Sequence, residues 1–290
     1  MPPGLLGILF GLFAYAVFGV HDAAIKWLVA TVPVPEVVFI RSVMVFAACL
    51  LIGRRKLIER MAATTMKGPL LFRGALTLAA WFSYFTAARS LSLAKLLSLY
   101  FAAPLIVTVL ASPLLGERVG PGRWAAVLVG FAGVMVVTDP WGVPFALPTF
   151  LTLAAAAMWA YGVILMRQIA RRETSLLQII YLNIVFLLGS GTVCLFAWKT
   201  PSPVEMALLA LVAVLGGLGQ FALFEAARRA AAAVLATVEY TSLLWGFLLG
   251  WLIWGDVPAA AVFVGAALIL CSGLLIVRAE RREARLPARA

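Results

Sequence analysis

FTAARSLSLAKLLSLYFAAPLIVTVLASPLLGE, residues 85–117, and FEAARRAAAAVLATVEYTSLLWGFLLGWLIWGD, residues 224–256, are two copies of one segment. Laid together without a gap, they pair Phe85 with Phe224, Arg89 with Arg228, Gly116 with Gly255 and Glu117 with Asp256. Apolar residues match cheaply in a chain this greasy. FxAAR followed on the same register by glycine and an acid does not. Each copy closes a series of five apolar runs, and five is odd. The second copy must therefore enter a bilayer upside down relative to the first, which is the inverted symmetry of proteins that place a solute site between two halves.

The composition demands a bilayer. Of 290 residues, 64% are hydrophobic and 12% charged, against roughly 25% charged in soluble domains. A membrane helix needs about 20 apolar residues. Ten such runs are predicted, at 5–28, 35–52, 69–89, 94–115, 122–138, 148–168, 176–198, 205–227, 233–254 and 258–277. The fold class is an all-α membrane protein with ten transmembrane helices in two inverted five-helix repeats. The first repeat is expected over 1–140, the second over 145–278 and a basic tail over 279–290. The segment DPWGVP divides the halves.

Orientation follows from charge. With the N-terminus inside, only Lys26, Arg89, Lys95 and Lys199 of the 23 basic residues fall outside, while Arg41 and Arg73 lie within spans. That is a strong positive-inside bias. It puts both termini in the cytoplasm of a multi-pass protein of the cell inner membrane. The net charge of +11 is thus topogenic; basic residues are not interleaved with aromatics, so nucleic acid is excluded as a partner. Cys49, Cys194 and Cys271 lie in apolar runs without metal-like spacing, and a single histidine supplies no ligand set, so neither a metal nor a cofactor is expected. The N-terminal MPPGLLGILFGLFAYAVFGV has no basic n-region or cleavage site and reads as a retained first helix.

Ionisable residues inside a membrane are costly and face a cavity or a partner. His21 and Asp22 in the first span and Arg41 in the second sit at matching depths. An Asp22–Arg41 pair is therefore expected as a structural ion pair, with Lys26 as the alternative partner and a substrate-amine or proton-coupling role for Asp22 as the rival reading. His21, with an ordinary pKa of about 6.5, suits proton coupling or plain packing. Glu239 in the ninth span is the leading site candidate; the repeat makes it the mate of Tyr100 in the fourth. Tyr84, Tyr100, Tyr240, Trp81, Trp159 and Tyr161 are placed to stack on a planar solute, or to fill the core. Arg73 and Glu225 are expected to pair near the cytoplasmic rim, with Arg228 and Arg229 in reach. Arg89 and its mate Arg228 are expected to reach toward headgroups. Pro104, Pro113 and the run Gly216-Gly217-Leu218-Gly219 mark hinges or close packing. The GxxxG pairs Gly7/Gly11 and Gly246/Gly250 serve packing within the chain or a homodimer.

The stretch LLGERVGPGRWAAVLVGFAGVMVV (114–137), its twin WLIWGDVPAAAVFVGAALILCSGLLIV (251–277), the lysine of DAAIKW and the arginine of FIRS resemble the EamA-like branch of the drug/metabolite transporter superfamily, over essentially the whole chain. The resemblance implies a cavity between two inverted halves, with the fourth and ninth helices as its walls. It also implies secondary or facilitative transport, by alternating access, of a small organic metabolite: an amino acid, an amino-acid derivative or a nucleobase-like compound. Asp256 stands where the pattern has glutamate. The DAxxKW ending of the first span resembles a subgroup that includes importers of adenosyl-amino-acid metabolites. A lipid-carrier flippase of the same superfamily is the alternative. An intramembrane enzyme would need clustered acid, base and nucleophile groups, and the sequence has no such arrangement. The expected partners are thus a small solute and membrane lipids, with protons coupled through Glu239, Asp22 and His21.

Overall fold

A computed structural model describes residues 3–29, 31–88, 90, 99–117, 119–138, 146–196, 198–255 and 260–283. Arg89, Lys95, Arg118, Asp256, the DPWGVP divider and the tail beyond residue 283 lie outside the described residues, as do the side chains of Lys26, Phe85 and Trp254. Among the described residues there are eleven helices and no strand. These are α1 (Pro3–Leu28), α2 (Val34–Ala63), α3 (Lys67–Ala88), α4 (Ala103–Leu115), α5 (Pro121–Thr138), α6 (Leu147–Ala170), α7 (Ser175–Cys194), α8 (Pro203–Arg229), α9 (Ala232–Glu239), α10 (Thr241–Trp254) and α11 (Ala260–Glu283).

Helix is the structure that lets a chain satisfy its own backbone hydrogen bonds in hydrocarbon. Among the described residues six stretches are both long and apolar enough to cross: α1, α2, α6, α7, α8 and α9 with α10 taken together. The shorter α4, α5 and α11 are also apolar. Large hydrophobic side chains such as Leu9, Phe13, Leu51, Phe72, Phe150, Val214 and Phe263 are exposed on the outside of the bundle, as a lipid-facing surface requires. The molecule is an all-α, multi-pass membrane protein.

The helix starts are set locally. Proline occupies the first turn of α2, α4, α6 and α8, where its missing N–H costs no hydrogen bond. Ser202 and Glu205 form a reciprocal capping box at the start of α8, and Thr174 caps α7. The repeat reappears in the backbone. Gly116 (φ 66°) ends α4 and Gly255 (φ 70°) ends α10, both left-handed. The Gly116 N–H bonds the carbonyls of Ala111 and Ser112, and the Gly255 N–H those of Gly250 and Trp251. Each member of one set is the mate of its counterpart on the register that pairs Phe85 with Phe224.

Packing between the halves is reciprocal. The most extensive pairings are α1 with α8, α3 with α6, α5 with α11 and α2 with α7. Counting α9 and α10 as one span, the first and third spans of one half pack on the third and first of the other, while the second and fifth each meet their own mate. Two inverted copies related by a two-fold axis produce this arrangement.

Four spans differ in extent or continuity from the sequence reading. First, α2 does not stop at 52 but runs to Ala63, bending at Arg54 (φ 48°, ψ −147°); the basic stretch after Ile52 still has helix-forming residues and continues past the bend. Second, the predicted span 233–254 is interrupted at Tyr240, whose N–H turns back to the nearby Thr237 carbonyl. Its repeat mate Phe101 lies in the turn that precedes α4, so both copies break at one register. Third, α7 ends at Cys194 rather than 198, and α11 runs on to Glu283.

Of the two proposed hinges, the Gly216–Gly219 run belongs to an unbroken α8 and permits close packing. A Cβ on Gly219 would meet the Phe18 ring. Pro104 lies in the first turn of α4, just after the turn at residues 101–102. Gly7 and Gly11 face Ala230 and Val238 and so serve packing inside this chain.

Acidic side chains fasten the end that carries the basic loops. Glu117 accepts from Arg167 Nε (3.0 Å), Arg171 Nη2 (3.4 Å) and the Ala232 N–H (2.9 Å), joining the α4–α5 loop to α6 and to the start of α9. Glu173 accepts from Thr64, and the Tyr181 hydroxyl donates to the Met61 carbonyl at 2.9 Å.

The α5–α11 crossing depends on missing side chains. A Cβ at Gly133 would fall 2.9 Å from the Gly265 carbonyl oxygen and 3.0 Å from Leu268 Cβ, whereas Gly68 faces open space. Gly133→Ala is expected to cost about 1–3 kcal/mol through overpacking and to lower the melting temperature in detergent. Gly68→Ala should leave it nearly unchanged, and equal effects would refute the crossing.

Candidate functional site

Glu239 is the last residue of α9, and its side chain is 6% exposed. Its carbonyl accepts the Ser242 hydroxyl at 2.7 Å, and its carboxylate accepts the Trp159 indole N–H from α6 at 2.8 Å. The Tyr15 hydroxyl of α1 lies against the same carboxylate. Tyr100, the repeat mate, is within electrostatic reach of both Glu239 and Asp22. Its ring meets that of Tyr84 edge-on, with centroids 4.9 Å apart. The structure thus brings together Glu239, Trp159, Tyr100 and Tyr84 of the predicted set, from helices of both halves.

The remaining candidates divide. His21 is buried, and its Nδ1–H donates to Asp22 at 2.9 Å; the Asp22 side chain is 75% exposed. Tyr240 packs into an apolar cluster with Phe101, Val134, Leu243 and Ile269, its ring against Gly130 and 5.9 Å from Phe101. The break residues of the two repeats therefore touch each other, directly behind the Tyr100–Glu239 pair. Tyr161 meets Phe72 edge-on on the exposed side of α6. Trp81 packs on Phe186, with centroids 5.3 Å apart.

Two expected ion pairs are not formed. Asp22 is bonded to His21, and no salt bridge joins it to Arg41 among the described residues; Arg41 is 2% exposed, and its Nε and Nη1 have no hydrogen-bond partner. The depths agree, and Asp22 is within electrostatic reach of Arg41, but its carboxylate is engaged by the neighbouring His21 and stays beyond ion-pair distance of the guanidinium. Arg73 donates to the Gly162 carbonyl at 3.2 Å and lies over the Phe224 ring, while Glu225 accepts from Ser175, Arg228 and Arg229. Arg228 pairs with Glu225 while its side chain stays 40% exposed.

The sequence reading missed Tyr15 and the Asn183–Gln220 hydrogen bond (3.3 Å) between α7 and α8. A tyrosine inside an apolar run carries no mark of its neighbour. A buried amide in a span was a visible signal, by the reasoning applied to the charges.

With this geometry in place, relatives can be compared. A family model described as the EamA-like transporter family matches residues 5–139 and again 147–278. The chain belongs to that family. A pseudopaline exporter of Pseudomonas aeruginosa is 26% identical over 278 residues, covering 95% of this chain and 97% of the relative. An S-adenosylmethionine uptake transporter of Rickettsia prowazekii is 28% identical over 287 residues, covering 96% and 95%. A riboflavin transporter of Rhizobium johnstonii is 32% identical over 193 residues, covering 66% of this chain; the chain spans only 64% of that relative's length. One solved crystal structure superposes with a TM-score of 0.80 at 18% identity, over 96% of this chain and 99% of the other. Membership in the EamA family fits the doubled match, the paired glycine caps and the paired helix breaks.

The Trp159–Glu239 bond is open to test by a double-mutant cycle. Trp159→Phe removes the donor from a buried carboxylate and should cost about 1–3 kcal/mol. In a Glu239→Gln background the same change should cost less. Identical melting-temperature losses in both backgrounds would show that the bond contributes nothing.

Proposed function

We propose that this chain is a secondary or facilitative transporter that moves a small organic metabolite by alternating access. Its solute binds between the halves, on Glu239, Trp159, Tyr100 and Tyr84. The observation that carries the reading is the buried Glu239 carboxylate, held by the Trp159 indole N–H and the Tyr15 hydroxyl where the broken helices of opposite repeats cross. A break supplies polar backbone at membrane depth. Inverted repeats supply two related packings that can exchange the open side. The aromatic rings beside the carboxylate suit a planar or amphipathic solute, and the names of the three relatives are consistent with a metabolite of that size. Their names differ in both substrate and direction, so neither transfers to this chain.

In the same reading the halves are residues 1–140 and 145–278. Both termini face the cytoplasm of an inner membrane, and the Glu117–Arg167–Arg171 cluster closes the cytoplasmic end in the conformation described. Glu239, together with the His21–Asp22 pair, would couple transport to protons.

The test is uptake by the purified protein in liposomes, with labelled riboflavin, S-adenosylmethionine and a set of amino acids. Saturable uptake of one compound is expected, with Glu239→Gln or Tyr100→Ala lowering it at least tenfold in protein that still folds. Imposing an inward proton gradient should raise uptake in the wild type and not in Glu239→Gln. Folded protein that gives no saturable flux or exchange for any compound would oppose the small-metabolite reading. A gradient response unchanged in both Glu239→Gln and Asp22→Asn would end the proton-coupling part alone.

A further inference from the structure

Arg41 is a buried cation that the fold leaves short of partners. It lies in the first half of α2 and is 2% exposed. Other interior cations have partners: Arg73 has the Gly162 carbonyl and the Phe224 ring, Arg167 has Glu117 and the Ala227 carbonyl, and Arg229 has Glu225. Arg41 has none at Nε or Nη1. A guanidinium stripped of water with two nitrogens unpaired is a large penalty, and such a group persists where it serves something beyond the fold.

The surroundings are shaped for it. Residue 216 of α8 is glycine, and a Cβ there would fall 2.5 Å from Arg41 Nε and 2.8 Å from Nη2. The α8 backbone is therefore cut away at the position that the guanidinium occupies. The Trp81 ring of α3 lies 6.0 Å from the guanidinium carbon. On α1, Phe18 packs one turn further along α8 at Gly219 and meets His21 edge-on. His21 Nε2 is a second buried atom without a partner, within electrostatic reach of Arg41. The acid in reach, Asp22, is engaged with His21, and its side chain is 75% exposed.

Membrane headgroups do not fit this position. Arg41 is enclosed by α1, α3 and α8 rather than turned to the lipid face, so its ligand must enter the bundle as a solute does. Asp22 also links the two polar regions, since both Arg41 and Tyr100 lie within its electrostatic reach. Arg41 and the Glu239 cluster are thus two ends of one polar set, a cation at one end and a carboxylate at the other.

We propose that Arg41, seated against Gly216 and Trp81, binds a carboxylate of the transported solute. This rests on the transporter reading above and narrows its substrate to molecules with an anionic oxygen pair. A planar guanidinium matches that geometry with two parallel N–H donors, which lysine cannot reproduce.

Two measurements on the full-length protein test this. The first needs no ligand: melting temperatures of wild type, Arg41→Gln and Arg41→Lys in detergent. An unsatisfied cation predicts that Arg41→Gln melts no lower than wild type. A fall of several degrees in Arg41→Gln would make Arg41 a structural residue and overturn the proposal. The second is inhibition of uptake, or thermal stabilisation, by matched pairs of amino acids and their carboxamides, which differ in the carboxylate alone. Wild type should prefer the acid at least tenfold, Arg41→Gln should lose that preference, and Arg41→Lys should keep a small part of it. Equal response to acid and amide in wild type, or a preference that survives Arg41→Gln, overturns the proposal while leaving transport intact. Absence of response to every pair, in protein that does transport another compound, likewise excludes a carboxylate site. Absence of any transport is instead the failure of the broader reading.

Discussion

Hydrocarbon surrounds this bundle and offers no hydrogen bonds, so a polar group buried in it needs a partner within the protein. That constraint orders the structure. Backbone groups are satisfied by forming helices, and the side chains sort by the partners they find. Glu117 collects two arginines and a helix N–H, which fixes the α4–α5 loop against α6 and α9. Glu225 collects Ser175, Arg228 and Arg229. The arginines stay partly exposed, 48% for Arg171 and 40% for Arg228, so each such pair is worth about 1 kcal/mol or less, and the clusters hold the basic end together by their number.

Two charged interior groups away from that end are less fully satisfied. Glu239 has an indole N–H and a tyrosine hydroxyl where a free carboxylate could accept several bonds, and Arg41 has fewer still. Both lie toward the interior, away from the fastened end. The repeat explains where the Glu239 cluster arises. Identical breaks in two inverted copies bring Phe101 and Tyr240 into contact, and that places Tyr100 and Glu239 side by side in space although they belong to opposite halves of the sequence.

Most of the architecture was legible in the amino-acid order. Hydrophobic length set the spans, and the register of FxAAR and the glycine–acid pairs set the symmetry, which returns as the matched left-handed caps at Gly116 and Gly255. What escaped was rotational. Depth along a helix can be counted from its constant rise per residue, but the facing direction of a side chain depends on which neighbour it packs against. Asp22 and Arg41 share a depth but do not pair, because the Asp22 carboxylate is taken by His21 beside it. Tyr240 is adjacent to Glu239 in sequence yet turns into the apolar cluster against Gly130. Arg54, at the bend of α2, was hidden for another reason: helix-forming residues continue on both sides of it. Glu239 stood out because a lone carboxylate in an apolar run has few inexpensive explanations.

The central claim is that Tyr100 and Glu239 line a path reachable from either side of the membrane. The direct measurement is labelling of Tyr100→Cys, in protein whose three native cysteines are replaced, by a membrane-impermeant maleimide applied to each face separately. An alternating-access carrier predicts labelling from both faces, slowed from both by the transported solute. Labelling from one face only, or from neither, with no effect of solute, would contradict it.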